Sequence, residues 1–584
     1  VHIKNEFDSA KSFSLNVSLL DQSGNCVGRF TENGALKADE TAYYEGEITV
    51  NKPQLWSPET PNLYTLRCEI LLENAVADRL DTQIGIRSFT FTINDGVIFN
   101  GESRRFNGAN YHQTWPYIGN AVPQGLVKRD IMKLKELGFN NIRSHYPFSS
   151  LFTDICNKLG MTVIVSNPGW QFCRPGIFLE RAEQNMRDIV RWQRNNPCVL
   201  IWEPILNESE MSYDTRLGLH NIVHEEYPYG SCYTASDYGV TDILYCDYDP
   251  NMLGEGLEKY GFIGQKTPEM LPRWVREYGD APDNFNDQNS IWRCLRSWGD
   301  GAMTSVIDRM LDRYYPKDKN PVSKQYVDMY NNKRLCGYGV WPGIAHNRGY
   351  HINPCWGGHF DLFRMPKFSA YFMQTQLDRE TAGDLLYLGT WWTESSPDDV
   401  MVFSNAEYVE LYWNDELAAA QKPDDVPVKH PPFTFKDFRK NHRIRFASKL
   451  TAKAYVGGKF VAERTVTSPG IARRLKLEAD SMGVDLIADG SDIIAIRCHM
   501  IDAKGNIVPQ TCDVHPILFE VSGEGEIIGD SSVGANPICA EAGTATVLVR
   551  STQKAGEIHI RARLLWEQHM PGAIKPDEIV ITSR

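Results

Sequence analysis

Three patterns in the sequence predict a multidomain fold, a central (β/α)8 TIM barrel flanked by immunoglobulin-like β-sandwich domains. The chain opens with short alternating apolar and polar runs. Residues 89–378 repeat an order of amphipathic helix, glycine stop and apolar strand. Alternating strands then return and continue to the end. A chain of 584 residues is too long for one hydrophobic core, so several domains are expected.

Residues 1–88 form the first predicted sandwich. The run Ser14-Leu15-Asn16-Val17-Ser18-Leu19 alternates with period two, and Ser23-Gly24-Asn25 supplies a turn. Leu55-Trp56-Ser57-Pro58 and Thr60-Pro61-Asn62-Leu63-Tyr64 mark a proline-bounded crossing between strands. The barrel is assigned to 89–378. A helix through Leu126–Leu134 stops at Leu137-Gly138, and the strand Phe139–Ile142 follows. A helix from about 151 stops at Leu159-Gly160 before the strand Met161–Val165. A third helix passes through Met186–Trp192 and leads to the strand Val199–Leu206. This length and repetition suit a closed barrel better than an open sheet. Two further sandwiches are assigned to 379–469 and 470–584. Val400–Phe403, Val409–Trp413 and the turn Asn414-Asp415-Glu416 mark the first, and Asp489-Gly490 and Ala503-Lys504-Gly505-Asn506 mark hairpins in the second.

Composition narrows the function classes. Hydrophobic content of 42% and charged content of 23% are those of an ordinary globular protein. No run of eighteen apolar residues is present to span a membrane. A net charge of -13 argues against a nucleic-acid partner, which needs a basic face. The 13 cysteines form no C-x-x-C pair, and no histidine cluster at metal-ligand spacing is evident. Cys156, Cys198, Cys232 and Cys246 sit in apolar surroundings and read as buried thiols. The first residue is Val rather than Met, so a processed N-terminus fits the sequence.

In a barrel, chemistry sits at the C-terminal ends of the strands. Val199-Leu200-Ile201-Trp202 runs on to Asn207-Glu208, and a second apolar strand ends in Trp274-Val275-Arg276-Glu277-Tyr278-Gly279. Both place a Glu where a strand meets a loop. A paired arrangement of carboxyl groups can hydrolyse an acetal, one protonating the leaving oxygen while the other attacks the anomeric carbon. Either Glu alone is more often a solvated loop charge. Asn207 strengthens the pair, because its amide can bond a sugar hydroxyl beside the reacting carbon.

These residues carry a family resemblance. Arg143 followed by Ser144-His145-Tyr146-Pro147, then Asn207-Glu208, then Glu277-Tyr278-Gly279, resembles glycoside hydrolase family 2 in order and spacing. Gly337-Tyr338-Gly339-Val340-Trp341 is similar to the family's last barrel strand. Asp361–Lys367, with Tyr371 and Gln376, is similar to its closing segment. The resemblance implies a retaining mechanism with Glu208 as general acid/base and Glu277 as nucleophile. It makes Arg143 the cation that keeps Glu277 ionised, whereas strand alternation points the adjacent Arg276 to the opposite side. His112 and His145 fall where the family meets the non-reducing sugar. Trp170, Trp298 and Trp341 are candidate stacking platforms, Tyr248 is a candidate neighbour of the nucleophile, and Trp192 and Trp202 read as core.

The sequence departs from the family pattern in four places. One residue fewer precedes His145-Tyr146-Pro147, and Trp202 to Asn207 is one residue longer, which suggests a bulge. Ser166-Asn167 stands where metal-dependent galactosidases carry acids, so no metal and no other cofactor are expected. The jelly-roll module that usually precedes the first sandwich is absent, implying a fragment or an open cleft. The resemblance favours an exo-acting β-galactosidase on oligosaccharides, with red-algal galactan fragments as one substrate class, and a periplasmic or extracellular location. β-Glucuronidase and β-mannosidase activities on the same scaffold, and a carbohydrate-binding protein without turnover, are the alternatives. Nucleic-acid and membrane partners are not expected, and homo-oligomerisation stays open.

Overall fold

The computed structural model describes residues 1–171, 174–207, 209, 211–237, 239–246, 270–279, 303–304, 307, 310–311, 326–347, 354–445, 447–509, 516–566 and 574–584. Eight strands among them share one sheet: β1 (Phe106–Asn110), β2 (Asn141–Arg143), β3 (Thr162–Ser166), β4 (Val199–Glu203), β5 (Ala235–Ser236), β6 (Ile243–Tyr245), β7 (Arg273–Tyr278) and β8 (Leu335–Val340). Hydrogen-bonded neighbours run in the order β4-β3-β2-β1-β8-β7-β6-β5. A parallel bridge between Trp202 and Thr234 joins the two ends of that order and closes the TIM barrel. The β1/β8, β2/β3, β3/β4 and β5/β6 pairs are all parallel. Parallel neighbours need crossover connections. Helices α1 (Gln124–Glu136), α2 (Ser150–Leu159), α3 (Ile177–Gln193) and α4 (Tyr213–Glu226) follow β1 to β4 in turn.

Local chemistry fixes these boundaries. The Ser149 side chain accepts from Phe152 N at the start of α2, and Ser212 accepts from Thr215 N at the start of α4. Gly138 (φ 83°) and Gly160 (φ 69°) stop α1 and α2 in the left-handed region. β4 ends at Glu203 rather than Leu206, because Pro204 has no N–H to continue the ladder. On α3 the buried residues are Ala182, Met186, Ile189, Val190 and Gln193. Trp192 falls outside that stripe and is 69% exposed, so it is a surface residue and not core; Trp202 is 2% exposed. The thiols of Cys156, Cys198, Cys232 and Cys246 are buried, and burial pushes Cys232 up to about 12.

The chain falls into two compact units. The first comprises Val1–Arg105, Asn140–Tyr245 and Tyr260–Arg273. Its N-terminal part is a four-stranded sheet of Lys11–Leu20, Cys26–Leu36, Tyr64–Leu72 and Ala75–Ile84, with a small sheet of His2–Lys4 and Thr41–Tyr43. Phe13, Leu15 and Val17 point inward to a core with Ile3 and Leu36. This module docks on α2 and β4. Trp56 Nε1 donates to Asn157 O (2.9 Å) and Arg87 Nη2 to Val199 O (2.6 Å).

The second unit comprises Phe106–Phe139, Cys246–Lys259 and Trp274–Arg584. After the barrel strands come two pairs of packed sheets. Leu386–Leu388, Val400–Ser404 and Phe433–Phe435 form three strands that share a core with the four strands Glu416–Gln421, Tyr408–Trp413, Lys449–Val456 and Lys459–Thr467. Asn414 (φ 48°) and Asp415 (φ 72°) make the two-residue hairpin turn. Two four-stranded sheets form the last sandwich around Ile496, Phe519, Val547 and Ile560. Asp489-Gly490 makes no hairpin there. Its Asp489 carboxylate accepts from Ser491 N and Asp492 N and so leads the chain into Ile493–Ile501. Helix α1 docks on this sandwich, with Arg129 Nη1 donating to Ile493 O (2.9 Å) and Lys133 Nζ to Asp480 Oδ1 (2.9 Å).

Asn110, wholly buried at the end of β1, donates from Nδ2 to Arg276 O (2.7 Å) and Val340 O (3.2 Å), tying three strands of this unit together. Gly339 makes that approach possible. A Cβ there would lie 2.9 Å from Arg276 O and 3.1 Å from Asn110 Nδ2. Gly339→Ala is expected to destabilise the barrel by about 1–3 kcal/mol. An unchanged urea midpoint would refute this reading of the strand crossing.

Candidate active site

In the first unit, β2, β3 and β4 end on one buried polar cluster. Arg143 is 2% exposed and grips Glu203 with both arms of its fork, Nε to Oε2 (2.8 Å) and Nη2 to Oε1 (2.7 Å). Glu203 is fully buried, and Ser166 Oγ lies 2.6 Å from both Glu203 Oε2 and Ser144 O, donating to one at a time. The same Nη2 reaches Asn207 Oδ1 (3.2 Å). Arg is a donor only, so this contact fixes which way the Asn207 amide faces. Its oxygen accepts from Arg143, and its NH2 faces away from the guanidinium. Tyr245, ending β6, lies with its ring centroid 5.8 Å from the Arg143 guanidinium carbon. His145 and Trp170 stand edge to face at 6.4 Å, both half-buried.

In the second unit, β1, β7 and β8 present another cluster. Glu277 is 12% exposed at its side chain, with Arg276 Nε 3.7 Å from its Oε1. Sequence alternation placed Arg276 on the far side, and the structure corrects this. Alternation fixes only the Cα–Cβ direction, and the further rotatable bonds of Arg let the guanidinium turn back toward the strand end. Tyr278 is buried with its hydroxyl pushed well above the usual range by desolvation, and it packs edge to face on Tyr338 (5.8 Å). His112 and Trp341 meet at 5.5 Å, and both contact His346, whose ring lies 4.1 Å from His112 and 5.6 Å from Trp341.

A buried ion pair holds the loop that carries His112. Arg364 Nη2 donates to Asp130 Oδ2 (2.8 Å) and to Thr114 O (2.9 Å), with neither charged side chain exposed. Tyr111 Oη (2.8 Å) and Trp115 Nε1 (3.2 Å) donate to the same Asp130 oxygen. The segment Tyr111–Trp115 is therefore pinned on both sides of His112.

Seven of the ten sequence candidates are accounted for by these clusters: Arg143, His145, Trp170 and Asn207 in one unit, His112, Glu277 and Trp341 in the other. Glu208, Tyr248 and Trp298 lie outside the described residues. Sequence reasoning missed Glu203 and His346. A carboxylate in the apolar run Val199-Leu200-Ile201-Trp202-Glu203 was the available signal for Glu203. No signal marked His346.

Family models match three parts of the chain: Glycosyl hydrolases family 2 at 1–87, its TIM barrel domain at 91–222, and Glycoside hydrolase family 2 C-terminal domain 5 at 475–564. A β-galactosidase from Thermoanaerobacter pseudethanolicus is 31% identical over 540 residues, covering 88% of this chain and 67% of the relative. The chain belongs to glycoside hydrolase family 2. A relative named β-glucuronidase, from Formosa agariphila, is 23% identical over 591 residues, 96% of this chain and 56% of its own length. In fold, the chain is similar to a β-glucuronidase structure of glycoside hydrolase family 2 with a TM-score of 0.77 at 21% identity, over 100% of this chain and 59% of that one. The chain thus spans between just over half and two thirds of these longer relatives.

Proposed function

We propose that this family 2 member is a retaining, exo-acting β-glycosidase, a β-galactosidase that acts on oligosaccharides by double displacement. The observation that carries the reading is the 31% identity to a β-galactosidase across 88% of the chain. Supporting it are a partly exposed Glu277 at the end of β7 with a cation beside it, and an Asn207 amide whose oxygen is held by Arg143.

In the proposed reaction Glu208 gives its proton to the glycosidic oxygen while a Glu277 oxygen attacks the anomeric carbon. The C–O bond to the leaving group breaks, and a glycosyl ester of Glu277 forms. Glu208, now a carboxylate, takes a proton from water, whose oxygen displaces Glu277 and restores the starting configuration. This geometry requires the two carboxyl groups about 5 Å apart. Asn207 donates to the hydroxyl beside the reacting carbon, a contact that tightens as that carbon gains positive charge.

A panel of aryl β-galactoside, β-glucuronide and β-mannoside substrates tests the reading. The galactoside is expected to give the highest kcat/KM by at least about tenfold, a margin of roughly 1.4 kcal/mol. Product analysis on red-algal galactan oligosaccharides tests the narrower substrate class. Preference for the glucuronide would move the assignment to the second reading, which the Formosa agariphila relative favours. Sugar binding without release from any substrate would leave a carbohydrate-binding protein.

A further inference from the structure

We propose that His220, His224 and Asp242 form a structural site for a divalent transition metal of the zinc type, at the end of the barrel opposite the proposed chemistry. The two histidines are four residues apart on α4, which places both rings on one helix face, with centroids 4.7 Å apart. Asp242 immediately precedes β6, and Thr234 immediately precedes β5. The cluster therefore sits at the N-terminal ends of these strands, where barrel residues serve stability.

One donor atom from each of the three side chains lies within 4.8 Å of the other two. His224 Nε2 is 2.9 Å from Asp242 Oδ2. Tetrahedral zinc, with bonds of about 2.0–2.1 Å, sets its ligand atoms roughly 3.3 Å apart. The His224–Asp242 distance falls just short of that value, and no distance among the three donor atoms exceeds 4.8 Å. Two imidazoles and one carboxylate suit zinc and its neighbours in the transition series, and leave a fourth position for water. Calcium and magnesium, which take mainly oxygen ligands, suit the set poorly.

A supporting shell is already in place. Thr234 N donates to Asp242 Oδ2 (2.8 Å), Thr234 Oγ1 lies 3.0 Å from the same oxygen, and His220 Nδ1 lies 2.7 Å from Thr234 Oγ1. Such contacts orient metal ligands. To bind through Nε2, His224 gives up the Nε2–H that it donates to Asp242 and carries its one ring proton on Nδ1 instead. The His224 side chain is 37% exposed and Asp242 23%, so solvent ions reach the cluster.

Equilibrium dialysis of the full chain against zinc, after chelator treatment, tests the site, with bound metal read by emission spectroscopy. The unmodified chain is expected to hold one zinc ion more per chain than the His220→Ala/His224→Ala variant. Asp242→Asn is expected to weaken that zinc by at least about tenfold. His224→Gln, which keeps a hydrogen bond to Asp242, should show the same loss if the double variant does not fold. Equal zinc in the unmodified chain and in either variant overturns the site and leaves a hydrogen-bonded His–Asp pair. Turnover of an aryl β-galactoside should stay within about twofold on zinc removal, and a larger fall overturns the structural role.

Discussion

Glu277→Gln is expected to lower kcat on an aryl β-galactoside by roughly three to five orders of magnitude, with sugar affinity little changed. The amide keeps the size of the side chain and removes its nucleophilic charge. It also leaves Arg276 without the carboxylate that stands 3.7 Å from its Nε. Glu208→Gln should behave differently. A dinitrophenyl leaving group needs no proton, so formation of the glycosyl ester survives on that substrate and falls steeply on an oligosaccharide. Equal release by Glu277→Gln and the unmodified chain on every substrate would refute the assigned nucleophile.

Glu203→Gln carries the largest expected effect on stability, about 3–5 kcal/mol. The substitution leaves Arg143, 2% exposed, without its bidentate partner in a site that admits little water. Activity should fall with it, because the Arg143 fork that holds Glu203 also fixes the Asn207 amide. Replacing both charges, as Arg143→Met with Glu203→Leu, should restore part of the stability and none of the activity. Urea unfolding read beside kcat/KM separates the two effects. A single Glu203→Gln variant as stable as the parent would show that the pair holds nothing in place.

Much of the fold was legible because its signals are local. Gly138 and Gly160 end helices through their own backbone freedom, and the Leu15/Val17 alternation declares a one-sided strand without reference to distant residues. Barrel closure was expected from the length and repetition of 89–378, but the contacts that complete it were not legible. It rests on a two-residue strand, Ala235–Ser236, and on a bridge between Trp202 and Thr234 that no periodicity encodes. The β4 boundary was overrun because an apolar run continues past Pro204 to Leu206, while the ladder depends on an N–H that proline lacks.

The site shows the same division. Strand-end carboxylates and the Asn207-Glu208 pair are sequence features, so they could be named in advance. Glu203 was passed over because its meaning depends on Arg143, sixty residues away in the chain. Arg276 was misplaced because alternation describes Cβ atoms, and a long side chain can defeat it. His220 and His224 were passed over because two histidines four residues apart are no cluster by themselves, and Asp242 joins them only in the folded chain.

The central claim, that Glu277 is the group that bonds to the anomeric carbon, has a direct chemical test. A 2-deoxy-2-fluoro-β-galactoside with a dinitrophenyl leaving group should form its glycosyl ester and then stall, since fluorine destabilises the cationic transition state of both steps while the activated leaving group rescues only the first. Peptide mass analysis is expected to find the fluorosugar on the peptide containing Trp274–Gly279, attached at Glu277. A label on any other carboxylate, or continued turnover of the natural substrate with no labelled peptide, would contradict it.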